Sequence, residues 1–223
     1  MRALAELGLI CCNFALHSKS SKTRLLNEYN SHPKGLSFVV IGMNDEKSPL
    51  FPDEVRRLIS EHRIFSGGRR HRELVGELLP EGAVWIDIVV PLSDVYAQYR
   101  HYDKPILVFA SGDPLFFGFT TTLMREFEGR VTKTFPSFNS LQMLAHALRL
   151  PYHDMRVVSL TGRPWHEFDR ALIERAHKVG VLTDRKNTPA TIAKRMLDYG
   201  YTAYRMHVGV LLGGEREETY SLP

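Results

Sequence analysis

Apolar residues along the chain gather in short β-branched runs separated by amphipathic stretches. The run Leu36 to Gly42 (Leu-Ser-Phe-Val-Val-Ile-Gly) is apolar and closed by glycine, which predicts a buried strand. A helix over Pro52 to His62 follows, with proline in its first turn, Asp53 and Glu54 at its positive end, and Val55, Leu58 and Ile59 on one face. The alternation then repeats: strand Ile64 to Ser66, a Gly67-Gly68 turn, helix Arg69 to Leu79, strand Val84 to Val90, helix Leu92 to Tyr102 and strand Pro105 to Ala110. Helix Phe117 to Glu126, strand Arg130 to Phe135 and helix Ser140 to Leu150 complete this first series. Strands alternating with helices at this spacing predict an α/β fold with a largely parallel sheet wrapped by helices.

Pro151 and His153-Asp154 interrupt the pattern, and a second series begins. It reads strand Met155 to Leu160, helix Trp165 to His177, strand Val179 to Thr183, helix Pro189 to Tyr199 and strand Tyr204 to Leu212. The expected organisation is a polar, disordered or loosely held leader over residues 1–35, an N-terminal α/β domain over 36–136 and a C-terminal α/β domain over 137–223, with an interdomain cleft for a ligand.

Composition narrows the class. The 223 residues carry 29 Lys plus Arg against 25 Asp plus Glu, and 43% are apolar, which is ordinary for a globular chain long enough to bury a core. A net charge of +4 is too mild to demand a nucleic-acid partner and suits an anionic small substrate equally well. Cys11 and Cys12 are adjacent, so a reduced, cytoplasmic chain is expected. The first sixteen residues faintly resemble a signal peptide, but Glu6 interrupts the apolar run and no cleavage site follows, and no run is long enough to span a bilayer.

Ala110-Ser111-Gly112-Asp113-Pro114 follows a buried strand directly, so it is aimed at the carboxyl edge of a parallel sheet, where ligands bind. Gly112 lets a ligand approach the backbone, and Asp113 accepts hydrogen bonds from a cation or a hydroxyl. Asp113 before Pro114 also reads as a helix N-cap, and the two roles are compatible. His153-Asp154 and Trp165-His166-Glu167 fit no zinc spacing, and the scattered methionines read as core filling, so no metal is expected.

Six segments occur in order: Val39-Val40-Ile41-Gly42, Gly67-Gly68-Arg69-Arg70-His71, Ala110 to Pro114, Ser137-Phe138-Asn139-Ser140-Leu141-Gln142, Ser159-Leu160-Thr161-Gly162-Arg163 and Leu182-Thr183-Asp184-Arg185-Lys186-Asn187-Thr188-Pro189. Together they resemble the tetrapyrrole methylases, most closely the precorrin-6Y methylases acting at carbon 5 of the corrin-ring precursor in cobalamin synthesis. The resemblance implies a two-domain methyltransferase, a homodimer, that holds S-adenosyl-L-methionine in the interdomain cleft. Carried over, Gly42, Ser111, Gly112 and Asp113 line the cofactor, Phe116 packs on it, Asn139 and Ser140 touch it from the next helix, and Leu160 and Thr161 close its adenine side.

The corrinoid substrate carries several carboxylates, for which Arg69, Arg70, His71 and Arg163 are the candidates; Arg69 and Arg70 read equally well as a solvated helix face. The chain departs from the family in its first loop, where Met43, Asn44 and Asp45 follow Gly42 in place of a Pro-Gly step. It is also expected to lack the family's last strand. Relatives are often fused to a decarboxylating methyltransferase domain, of which no segment is visible here. No catalytic residue stands out. Another superfamily substrate (uroporphyrinogen, diphthine or ribosomal RNA) and a non-catalytic nucleotide-binding or dimerisation module are the alternatives.

Overall fold

The alternating pattern becomes a five-stranded parallel sheet followed by two smaller sheets, in a computed structural model that describes residues 35–222. The leader, Cys11 and Cys12 lie outside the described residues. The order is β1 (Ser37–Met43), α1 (Asp53–Glu61), β2 (Ile64–Gly67), α2 (Arg69–Val75), β3 (Val84–Asp87), α3 (Leu92–Tyr99), β4 (Pro105–Ser111), α4 (Phe119–Glu126), β5 (Val131–Phe135) and α5 (Ser140–Leu148). There follow β6 (Arg156–Ser159), α6 (His166–Ile173), β7 (Val179–Leu182), α7 (Pro189–Asp198), β8 (Met206–Val210) and β9 (Glu218–Leu222).

The large sheet runs β3-β2-β4-β1-β5, every neighbouring pair parallel. Its central strands are apolar on both faces because both are covered. Phe38, Val40, Ile106 and Val108 point to one side and pack with Val95, Tyr96 and Tyr99 of α3 and Leu123 of α4. Val39, Ile41, Leu107 and Phe109 point to the other and meet Val55 and Ile59 of α1 and Val75 of α2. This is the period-two alternation of a strand read through two cores.

The β6–β7 pair is parallel and builds a third core with α6 and α7 from Val158, Leu160, Phe168, Ala171, Leu172 and Ile192. Helix α5 lies against both smaller sheets. A Cβ on Gly180 of β7 would sit 3.0 Å from Leu141, and one on Gly209 of β8 3.1 Å from Leu144.

Several elements end short of the sequence reading, among them the helices Arg69–Val75, Leu92–Tyr99 and His166–Ile173, and three further differences have a clear cause or consequence. Strand β9 is absent from the sequence pattern, because Glu-Thr-Tyr-Ser-Leu is exposed at every position and shows no buried face; its antiparallel pairing with β8 gives it its form. Strand β3 stops at Asp87, short of Val90. Helix α4 begins at Phe119, since Phe117 adopts a left-handed φ of 53° that no helix interior accepts.

Candidate functional site

Because the strands of the large sheet are parallel, the segments after β1, β2, β4 and β5 all emerge at its carboxyl edge. Gly42 and Ala110 are register partners on β1 and β4, and just beyond them the Gly112 N–H donates to the Met43 carbonyl at 2.7 Å. A Cβ on Gly42 would lie 2.2 Å from the Gly112 carbonyl oxygen and 2.9 Å from the Ser137 nitrogen. Gly42 is therefore a spacer that lets three chain segments close on one another. Gly112 is held at φ 65°, and a Cβ there would lie 3.0 Å from the Asn139 Cα.

Helix α2, which follows the neighbouring strand β2, adds His71. Its Nδ1 accepts the Gly68 backbone N–H at 3.1 Å, and its Nε2 lies 2.9 Å from the Ser111 hydroxyl. This is the half of a capping box open to a glycine cap, with the histidine at the third helical position reaching back. Burial lowers the His71 pKa, Asp45 raises it and Arg70 lowers it again, leaving a net depression. Arg70 and Asp45 form an ion pair at 2.7 Å.

Asp113 does not cap α4, whose N-cap is Gly118. Its Oδ1 instead accepts the Leu115 N–H at 2.9 Å in a local turn, while its Oδ2 has no partner among the described residues. Asn139 is buried and caps α5 reciprocally with Gln142, both bonds 3.0 Å; Ser140, next in line, is exposed.

A second cluster joins the ends of β6 and β7. The Leu160 side chain is wholly buried in the third core, and its N–H donates to the Leu182 carbonyl. An adenine contact by the Leu160 side chain is therefore not what its placement offers. The Thr161 hydroxyl is exposed and donates to the Thr183 carbonyl at 3.2 Å. Asp184 accepts the backbone N–H groups of Gly162, Lys186 and Asn187, and the buried Asn187 donates to the Leu160 carbonyl at 2.8 Å. Those bonds, Asn187 first, hold the Asp184 carboxyl below its ordinary pKa.

Arg163 leaves this turn and lays its guanidinium 5.3 Å from the centre of the Phe117 ring, while donating to Ser159 Oγ at 2.9 Å. With Leu115, Phe116, Phe117 and Thr121 it lines a depression of about 260 Å³. Arg163 has no carboxylate partner among the described residues. Arg69 instead pairs with Glu73 along α2 with its side chain 91% exposed, the solvated helix face the sequence allowed. A second depression between α6 and α7 also contains cations, but Lys194 is paired with Asp198 and Arg195 with Asp169.

Gly42, Ser111, Gly112, Asn139 and His71 are thus one cluster, Leu160 with Thr161 the second, and Phe116 with Arg163 a third beside it. Asp45, Phe117, Asp184 and Asn187 were not singled out as site residues from sequence. The Thr-Asp-x-x-Asn-Thr-Pro motif carried the only signal for the last two. Among the described residues no metal-ligating cluster gathers, and no helix is long and apolar enough to cross a membrane.

The family profile for Tetrapyrrole (Corrin/Porphyrin) Methylases matches residues 39–223. A precorrin-6Y C(5,15)-methyltransferase (decarboxylating) of Sinorhizobium sp is 32% identical over 192 residues, 84% of this chain. The chain spans 46% of that protein's length. The cobalt-precorrin-7 C(5)-methyltransferase of Salmonella typhimurium is 31% identical over 188 residues, 82% of this chain and 89% of its own. The solved cobalamin-biosynthesis precorrin-6Y methylase of Archaeoglobus fulgidus superposes with a TM-score of 0.64 at 18% identity, over 84% of this chain and 89% of that one. A uroporphyrin-III C-methyl transferase of Thermus thermophilus, complexed with S-adenosyl homocysteine, gives 0.60 at 19%, over 83% and 82%.

Proposed function

Because the chain belongs to the tetrapyrrole (corrin/porphyrin) methylases, we propose that it is an S-adenosylmethionine-dependent C-methyltransferase acting at carbon 5 of a corrin-ring precursor in cobalamin biosynthesis. The observation that carries this reading is the Ser111-Gly112-Asp113 turn, closed on Gly42 and Asn139 at the carboxyl edge of a parallel sheet. Both curated relatives named above bear the C(5) designation in their names, which supports the position on the ring. The decarboxylating step in the Sinorhizobium name is not assigned to this chain. A homodimer working in the cytoplasm is the setting that the family resemblance implies.

The chemistry of the edge fits the cofactor. S-adenosylmethionine presents an ammonium, a carboxylate, ribose hydroxyls and a flat base. Against these stand the exposed Ser111 hydroxyl, the Asp113 Oδ2 without a partner among the described residues, a glycine turn that admits close approach, and the half-buried Phe116 ring. When bound, the cofactor supplies a methyl group already activated on sulfonium sulfur. The chain's task is then to orient and to keep out water, and orientation alone can provide much of the rate. Leu115, Phe116 and Phe117 give the depression apolar walls, and Arg163 at its rim is placed to pair with a substrate carboxylate.

Calorimetric titration with S-adenosylhomocysteine, followed by transfer of labelled methyl to the C5-unmethylated corrinoid, tests the reading. One saturable site per chain, lost in Gly112→Val, and label recovered at carbon 5 are expected. A folded chain that binds no S-adenosylhomocysteine overturns it.

A further inference from the structure

His71 and Ser111 lie 40 positions apart and meet only because β2 and β4 are neighbours in the sheet. The direction of the hydrogen bonds between them is fixed by chemistry. The Gly68 backbone N–H is an obligate donor, so His71 Nδ1 must accept. In the neutral ring the proton then sits on Nε2, and Nε2–H donates to Ser111 Oγ at 2.9 Å. With its oxygen occupied as an acceptor, the exposed Ser111 hydroxyl is left to donate outward.

We propose that His71 is a positioning residue that fixes Ser111 as a hydrogen-bond donor to an oxygen of the methionine or ribose part of the bound cofactor. This rests on the methyltransferase reading and replaces a direct substrate contact by His71. Protonating the ring sets a second N–H against the Gly68 N–H and breaks the chain at its origin. The charged groups bearing on the ring are Asp45, from the segment after β1, and Arg70, its neighbour on α2. They are paired with each other, so their influences oppose and burial decides. From β3 the Trp85 indole lies beside Gly67 and donates to Asp87, the register partner of Gly67, and from β4 comes the Ser111 hydroxyl.

The test has two arms. Nitrogen-15 NMR of the free chain reads the imidazole directly: a neutral ring protonated at Nε2 is expected, and a ring protonated at Nδ1 overturns the proposal. Titration with S-adenosylhomocysteine then compares His71→Ala, Ser111→Ala and the double variant. Each single change is expected to weaken binding about tenfold, the scale of one hydrogen bond, and the double change no further than Ser111→Ala alone. His71→Gln, whose amide can still donate to Ser111 but does not titrate, is expected to restore binding and abolish its weakening in acid. Independent, additive losses overturn the proposal.

Methylthioadenosine, which keeps the ribose and lacks the carboxylate, locates the acceptor. A Ser111→Ala loss confined to S-adenosylhomocysteine assigns the carboxylate, a loss shared by both assigns the ribose, and no loss with either overturns the proposal. Absence of binding by the unaltered chain, with the Nε2 tautomer intact, overturns the methyltransferase reading and the ligand half of this inference together.

Discussion

Gly42 and Gly112 are packed backbone to backbone: a methyl group on Gly42 would lie 2.2 Å from the Gly112 carbonyl oxygen, well inside contact distance. The obstacle is main chain, so no rotamer change relieves it. Gly42→Ala is expected to force β1 and the Ser111–Asp113 turn apart. The loss of stability should be about 3 kcal/mol, the upper part of the range for overpacking, with S-adenosylhomocysteine binding lost at temperatures where the chain is still folded. Denaturant unfolding and calorimetry on one sample check both halves.

Asn187 holds the ends of β6 and β7 through the Leu160 carbonyl. Asn187→Ala leaves that carbonyl with only the longer bond from the Arg163 N–H, at 3.3 Å, a cost of about 0.5–1.5 kcal/mol for the lost hydrogen bond. Asn187→Asp, which loses the donor and adds a negative charge beside Asp184, is expected to be worse than alanine. Urea midpoints of the three proteins give the order.

Two groups give stability a pH dependence in separate windows. The folded His71 pKa lies below its ordinary 6.5, so the unfolded chain binds more protons there, and stability is full above 6.5 and declines as pH falls toward the folded value. The Asp184 carboxyl is likewise depressed, from 3.8, so its contribution is present above 3.8 and is lost as pH falls through the folded value. His71→Gln should flatten the first window alone and Asp184→Asn the second. Thermal melts across pH 2–8, with the single variants in parallel, separate the two.

Arg163 is placed for a substrate anion at the rim of the Leu115–Phe117 depression. Arg163→Met is expected to raise the corrinoid KM about tenfold or more, the scale of a lost charge-assisted hydrogen bond, with S-adenosylhomocysteine affinity unchanged. Arg163→Lys should recover only part, because an ammonium lacks the planar fork. Equal losses for both ligands would instead mark Arg163 as a structural brace between Ser159 and Phe117.

What the sequence discloses is what local pattern controls. The apolar runs of β1 and β4 are legible because both faces of those strands are buried, and Asn139 with Gln142 announces the start of α5 by its capping spacing. The shape of the Asp113 turn is not legible: Pro114 after aspartate fits a helix start equally well, and only the left-handed Phe117 delays α4. The His71–Ser111 contact is invisible for a different reason, since it depends on which strands the sheet places side by side. Strand β9 carries no core signal because each of its residues faces water.

The slots that Gly180 and Gly209 open for Leu141 and Leu144 bear on how such chains can diverge. A Cβ on Gly180 would also meet the Met155 sulfur at 2.6 Å and one on Gly209 the Leu212 side chain at 2.7 Å, so a larger residue on either strand is tolerable only where both of its neighbours give way. Descendant sequences should therefore exchange volume in groups, 180 with 141 and 155 and 209 with 144 and 212, leaving a signature of correlated substitution that marks the docking of α5 without reference to any ligand.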